Sequence, residues 1–113
     1  MTGAPQYFLK PKYQLAEIKS AFRRGNAMNW TRTAQDFAFG NGWSTGDVFD
    51  LIQSISAEHF YKSMDSHMDG KTRQDVYYVP CSIQGDLEGV ELYVKFTANA
   101  NGLLLISLKE SDR

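Results

Sequence analysis

His59 to Tyr78 reads HFYKSMDSHMDGKTRQDVYY and holds two histidines, three basic residues, three aspartates, a glutamine and four aromatics. Phe60 and Met64 stand four apart and share one face of a helix, so the spacing predicts a helix end there. Val76, Tyr77 and Tyr78 are strand formers. Between them Asp69-Gly70 is a turn signal. The stretch therefore predicts a junction from helix to strand, crowded with polar groups, where a small domain can hold chemistry. A solvated loop with Tyr and Met packed beneath it accounts for the same composition.

Upstream the signals are helical. Leu15, Ile18 and Phe22 fall at i, i+3, i+7 and predict a helix from Lys12 to Arg24, ended by Gly25-Asn26. Thr33 with Asp36 predicts a capped short helix to Phe39. Gly40-Asn41-Gly42 breaks the chain. It is read as a turn, since no strand precedes it and no Lys-Ser/Thr follows, as a phosphate loop would need. Ser44 with Asp47 signals a further helix start. Val48, Leu51, Ile52 and Ile55 then give the best helical stripe in the chain. Ser56 and Glu58 open a last short helix through Phe60, Tyr61, Lys62 and Met64.

Downstream the period changes to two. Thr72 to Val79 is a strand with Pro80 at its end or at an edge. Gly85-Asp86 and Gly89 mark a loop. In Val90 to Ala98, Val90, Leu92, Val94 and Phe96 alternate with Glu91, Tyr93, Lys95 and Thr97. Leu103 to Lys109 is the last strand. Ala100-Asn101-Gly102 suits a three-residue hairpin loop with Gly102 left-handed, which pairs Asn99 with Leu103, Tyr93 with Lys109 and Lys95 with Ser107. Helices followed by strands imply an α+β fold, the N-terminal helices packed on an antiparallel β-sheet meander.

The 113 residues suit a single domain, 1–113, with residues 1–11 a flexible arm. No run approaches the roughly 18 apolar residues of a membrane span, and the N-terminal stretch lacks the apolar core of a secretion signal. The single cysteine, Cys81, excludes an internal disulfide and a multi-cysteine zinc site. Cytoplasm is the expected compartment. The net charge of −1 and isoelectric point near 6.1 argue mildly against nucleic acid. Charge is uneven, however. Residues 1–32 carry Lys10, Lys12, Lys19, Arg23, Arg24 and Arg32 against Glu17, whereas residues 33–58 carry four acids and no base. Such asymmetry can make one positive face on a neutral protein.

Four strings in order resemble the MqsR family of bacterial toxins, ribonucleases of type II toxin–antitoxin pairs with a RelE-like fold. They are Tyr61-Lys62-Ser63-Met64, Gln74-Asp75-Val76-Tyr77, Tyr93-Val94-Lys95 and Ser107-Leu108-Lys109-Glu110. The resemblance runs from about Leu15 to Glu110 and is strongest from Ser56 onward. It implies a sequence-selective endoribonuclease (an mRNA interferase) and a cognate antitoxin that reaches DNA through its own helix-turn-helix part. It implies no metal and no other cofactor. It carries a catalytic set onto Lys62, Gln74, Tyr93 and Lys109.

Physically, cleavage of RNA through its own 2′-hydroxyl needs a base, an acid, positive charge at the phosphate and an aligned strand. Lys62 and Lys109 suit the charge, and one of them the base if its pKa falls. Tyr93 offers a phenol for acid work. Gln74 can orient through hydrogen bonds. Arg73 supplements phosphate binding, and Tyr61 and Tyr77 offer rings to stack bases. His59 and His67 match no family position. Asp65, Asp69 and Asp75 match no metal-loop spacing and are read as loop acids. The rival reading is a non-catalytic protein-interaction module of the same fold.

Overall fold

Ser44 and Asp47 cap their helix reciprocally. The Ser44 hydroxyl accepts from the Asp47 N–H at 3.0 Å, and the Asp47 carboxylate accepts from the Ser44 N–H at 2.8 Å. The helix that follows, α3 (Thr45–Gln53), buries Val48, Leu51 and Ile52, and Ile55 just beyond its end is buried with them. The computed structural model describes residues 7–65 and 72–113. Before α3 come α1 (Leu15–Ala21) and α2 (Arg32–Gly40). The side chain of Gln53 donates at 2.8 Å to the carbonyls of Lys19 and Phe22, so the open C-terminal end of α1 is satisfied from α3.

The cap of α2 is Thr31 rather than the expected Thr33. Its hydroxyl accepts from the Ala34 N–H and donates to the Ile106 carbonyl, so one side chain both starts the helix and ties it to a strand. The predicted first helix is shorter than its stripe. Asn26 does help end it, donating to the Ser20 and Ala21 carbonyls.

The main correction concerns Phe60–Met64. A single 3₁₀ turn, Ala57–His59, ends at Phe60, and Phe60–Asp65 is a strand, β2. The four-residue spacing that predicts a helix is not a shared face here, because a bulge at Tyr61 sends Phe60 into the core while Met64, paired with Gln74, projects to the other side. Pairing with the next strand decides it. His59 turns back to accept the Ser56 N–H at 3.0 Å on its Nδ1, which closes the 3₁₀ turn. The Asp69-Gly70 turn and His67 lie outside the described residues.

The sheet runs β1 (Tyr7–Phe8), β2, β3 (Arg73–Pro80), β4 (Glu91–Asn99), β5 (Gly102–Glu110) in that spatial order, every pair antiparallel. This is an α+β arrangement, with the three helices falling between the short β1 and the meander β2 to β5. The outer edge of β5 is covered by residues 29–31, whose backbone exchanges hydrogen bonds with Leu105, which blunts an edge open to mispairing.

The hairpin between β4 and β5 differs from expectation in a useful way. Asn99 pairs with Gly102, so the loop is the two residues Ala100-Asn101, with Gly102 at φ +107°. That register holds to Phe96 and Leu105. A bulge at Ile106 then shifts it by one, so Lys95 faces Ser107 and Tyr93 faces Lys109, the pairs expected from the sequence. The bulge keeps Leu105 and Leu108 in the core while turning Ser107 and Lys109 to the other face.

One face of the sheet meets the helices. Tyr77, Val79, Leu92, Val94, Phe96, Leu105 and Leu108 pack there against Ile18, Phe22, Ala38, Leu51 and Ile52. The string Gln74-Asp75-Val76-Tyr77 alternates between the faces. Asp75 is fully buried, and its carboxylate accepts the N–H groups of Lys12 at 3.0 Å and Tyr13 at 2.8 Å. It fastens the segment before α1 to the middle of the sheet, 63 residues away in sequence from Lys12. Hydrogen bonds to a charged acceptor are worth about 1.5–3 kcal/mol each, and orphaned buried donors cost more. Asp75→Ala is therefore expected to lower unfolding free energy by about 3 kcal/mol in urea titration. Asp75→Asn, which keeps one acceptor oxygen, should fall between it and the parent.

Candidate active site

The sheet face away from the helices carries Lys62, Gln74, Tyr78, Tyr93, Lys95, Ser107 and Lys109. Strand register fixes the layout, since directly paired residues project to the same side. One row crosses the sheet as Lys62, Val76, Lys95, Ser107. The next row is Tyr78, Tyr93, Lys109. Gln74, paired with Met64, lies one row to the other side. Val76 is fully buried in this face and forms an apolar floor between Lys62 and Lys95.

Lys62 owes its position to a bulge. Phe60 pairs with Tyr77 and Lys62 with Val76, which leaves Tyr61 as the extra residue. Phe60 turns inward against Tyr77, and Tyr61 and Lys62 both turn outward. The Tyr61 ring lies 4.9 Å from that of Tyr78, and the Lys62 ammonium 5.2 Å from the Tyr61 ring centre. Tyr78 in turn meets Tyr93 at 5.7 Å, edge to face. Three tyrosines thus form a continuous strip beside the lysines.

Tyr93 stands between two ammonium groups, Lys109 at 5.0 Å and Lys95 at 5.8 Å from its ring centre. Burial, then Tyr78 and Asp112, holds the Tyr93 phenol above its ordinary range, so it keeps its proton at neutral pH and can donate it. Lys95 moves the other way. Burial lowers its pKa first, and the charges of Lys109 and Lys62 lower it further. Three lysines on three strands therefore share one field. The near-neutral isoelectric point conceals this local positive patch, which answers the objection that overall charge raised.

The expected residues divide by face. Lys62, Gln74, Tyr93, Lys109 and Tyr61 belong to this open face. Arg73 and Tyr77 do not, and the expectation that the Tyr77 ring stacks a base is corrected by its burial. Arg73 is on the opposite side of β3, its guanidinium 3.5 Å from the Phe8 ring centre and its Nε donating to Ser63 at 3.0 Å. Tyr77 is 1% exposed in the core. Burial, with the Asp75 charge, pushes its phenol up to about 12. Its ring has no free side for a base.

Three residues of this face were not singled out from sequence. Tyr78 and Lys95 alternate with core residues and could have been found by extending the faces of Gln74 and Tyr93. Arg113 gave no signal. It pairs with Glu91 through two 3.0 Å bonds and lays its guanidinium 3.8 Å from the Tyr78 ring centre and 5.5 Å from that of Tyr61.

A protein-family model described as "Motility quorum-sensing regulator, toxin of MqsA" matches residues 10–110. The chain belongs to the MqsR toxin family. A comparison with curated proteins gave no match. The MqsR match spans the Asp75 anchor, both bulges and every open-face residue named above except Arg113.

Proposed function

We propose that this MqsR-family chain is a sequence-selective endoribonuclease that cleaves messenger RNA without a metal ion and is neutralised by a cognate antitoxin, the MqsA of the family description. The observation that carries the reading is the open sheet face, with lysines from β2, β4 and β5 around a proton-bearing tyrosine. A phosphate seated there meets cations as the phosphorane gains charge. The 2′-oxygen attacks phosphorus while its proton passes to a base, and the P–O5′ bond breaks. The leaving oxygen takes a proton from Tyr93 or from a lysine ammonium. Gln74, one row away, suits a hydrogen bond to the strand or a base edge, and Tyr61 suits stacking. Of the aspartates that could suggest magnesium, Asp75 is committed to the Lys12 and Tyr13 amides.

The test is to incubate the purified chain with bacterial messenger RNA and map the ends. Fragments should carry a 2′,3′-cyclic phosphate or 3′-phosphate and a free 5′-hydroxyl. The product of a neighbouring gene should co-purify with the chain and stop the cutting. RNA left whole, with growth unaffected by expression of the chain, would leave a non-catalytic interaction module as the better account.

A further inference from the structure

Lys95 sits at the middle of the open face. Lys62 and Lys109 stand on strands three spacings apart, about 14 Å between backbones. Gln74 and Tyr93 lie on opposite sides of the Lys62 row. Among the described side chains of this face, Lys95 is the second cation in the row between those of Gln74 and Tyr93, on the strand next to Lys109 and across buried Val76 from Lys62. A phosphate reached by both outer lysines lies between them, over the strands that carry Val76 and Lys95. We propose that Lys95 is a catalytic residue of this site, the general base that takes the 2′-hydroxyl proton of the RNA. This rests on the nuclease reading above, which leaves the base unnamed.

The chemistry balances without a further reactant. Neutral Lys95 accepts the 2′-O–H proton and becomes an ammonium as the 2′-oxygen bonds to phosphorus. The P–O5′ electron pair leaves with oxygen, which is protonated by Tyr93. A base must be neutral in the resting enzyme, and the surroundings of Lys95 favour that form. Lys62 faces it from β2 and Lys109 from β5, both cationic, and burial acts in the same direction. Among the described side chains of this face, the phenols are Tyr61, Tyr78 and Tyr93. Of the nearby acids, Glu91 on its own strand is paired with Arg113, and Asp112 acts on Tyr78 and Tyr93. Lys62 and Lys109 are then left to hold charge, a division of labour that three equivalent lysines would not have.

The experiment uses the full chain and a synthetic RNA containing a cut site mapped with the wild type. Lys95→Arg keeps the charge but cannot act as a base near neutral pH. It should lower kcat by about 10²-fold with KM within about twofold, and its thermal melt should stay in place. Lys95→Cys, alkylated with bromoethylamine, restores an amine of weaker basicity. It should recover cleavage, with the acidic limb of the pH–rate profile moved to lower pH. Cys81 is buried, and alkylated wild type is the control. Wild-type kcat in Lys95→Arg, or an acidic limb in the aminoethyl form that coincides with wild type, overturns the role of Lys95 and leaves the nuclease reading standing. A wild type that cuts no RNA overturns both.

Discussion

Lys62→Ala should reduce RNA cleavage by about 10²–10³-fold, as expected for loss of one oriented group that stabilises transition-state charge. The same change should abolish growth arrest on expression. Lys62 is held outward by the bulge at Tyr61 and lies beside fully buried Val76. Part of any loss in Lys62→Ala could therefore come from uncovering that floor. Lys62→Met separates the two effects, because it keeps an apolar stem over Val76 and removes only the ammonium. Single-turnover rates should fall equally in Met and Ala variants, with urea midpoints close to wild type for Met. Lys62→Arg should retain a substantial part of the rate, since on this reading Lys62 supplies charge rather than taking a proton. Full activity in Lys62→Met would remove Lys62 from the mechanism.

An RNA with a single 2′-deoxy sugar at the cut site should survive completely, and DNA with it. In chelator the unmodified RNA should still be cut within about twofold of the normal rate. Both outcomes follow from assigning the nucleophile to the substrate's own 2′-oxygen and the charge to lysines, the role a metal ion fills in other nucleases. Loss of cutting in chelator with recovery on magnesium would contradict that assignment. So would full-rate cleavage of the deoxy substrate, which requires water as the nucleophile.

Much of this architecture is legible in the sequence because local rules and tertiary packing agree. Ser44 and Asp47 make the expected box, and the alternation in β4 sorts Leu92, Val94 and Phe96 inward. The face of Tyr93 and Lys109 is readable from the hairpin, although the loop is one residue shorter than expected and Ile106 restores the register. What escapes is whatever depends on bulges and on distant partners. Phe60–Met64 reads as helix from its spacing, and only the pairing with β3 makes it a strand. Motif matching groups Arg73 and Tyr77 with Gln74 by proximity in the string, whereas the pleat sends them to the other side. Lys95 was visible in the same string as Tyr93, yet its importance depends on Lys62 and Lys109 converging on it from strands distant in sequence.

The alternation of Gln74, Asp75, Val76 and Tyr77 has a consequence for genetics. A selection for cells that survive expression of this chain will collect escape mutations throughout that string, and they will fall into two kinds according to whether the side chain is buried. Changes at Gln74 leave a normal amount of full-length protein with impaired chemistry. Changes at Asp75 or Tyr77 strike the anchor or the core, and they rescue the cell by lowering how much folded protein accumulates. A survivor count alone would mark the whole string as catalytic. An immunoblot of the survivors would sort it residue by residue.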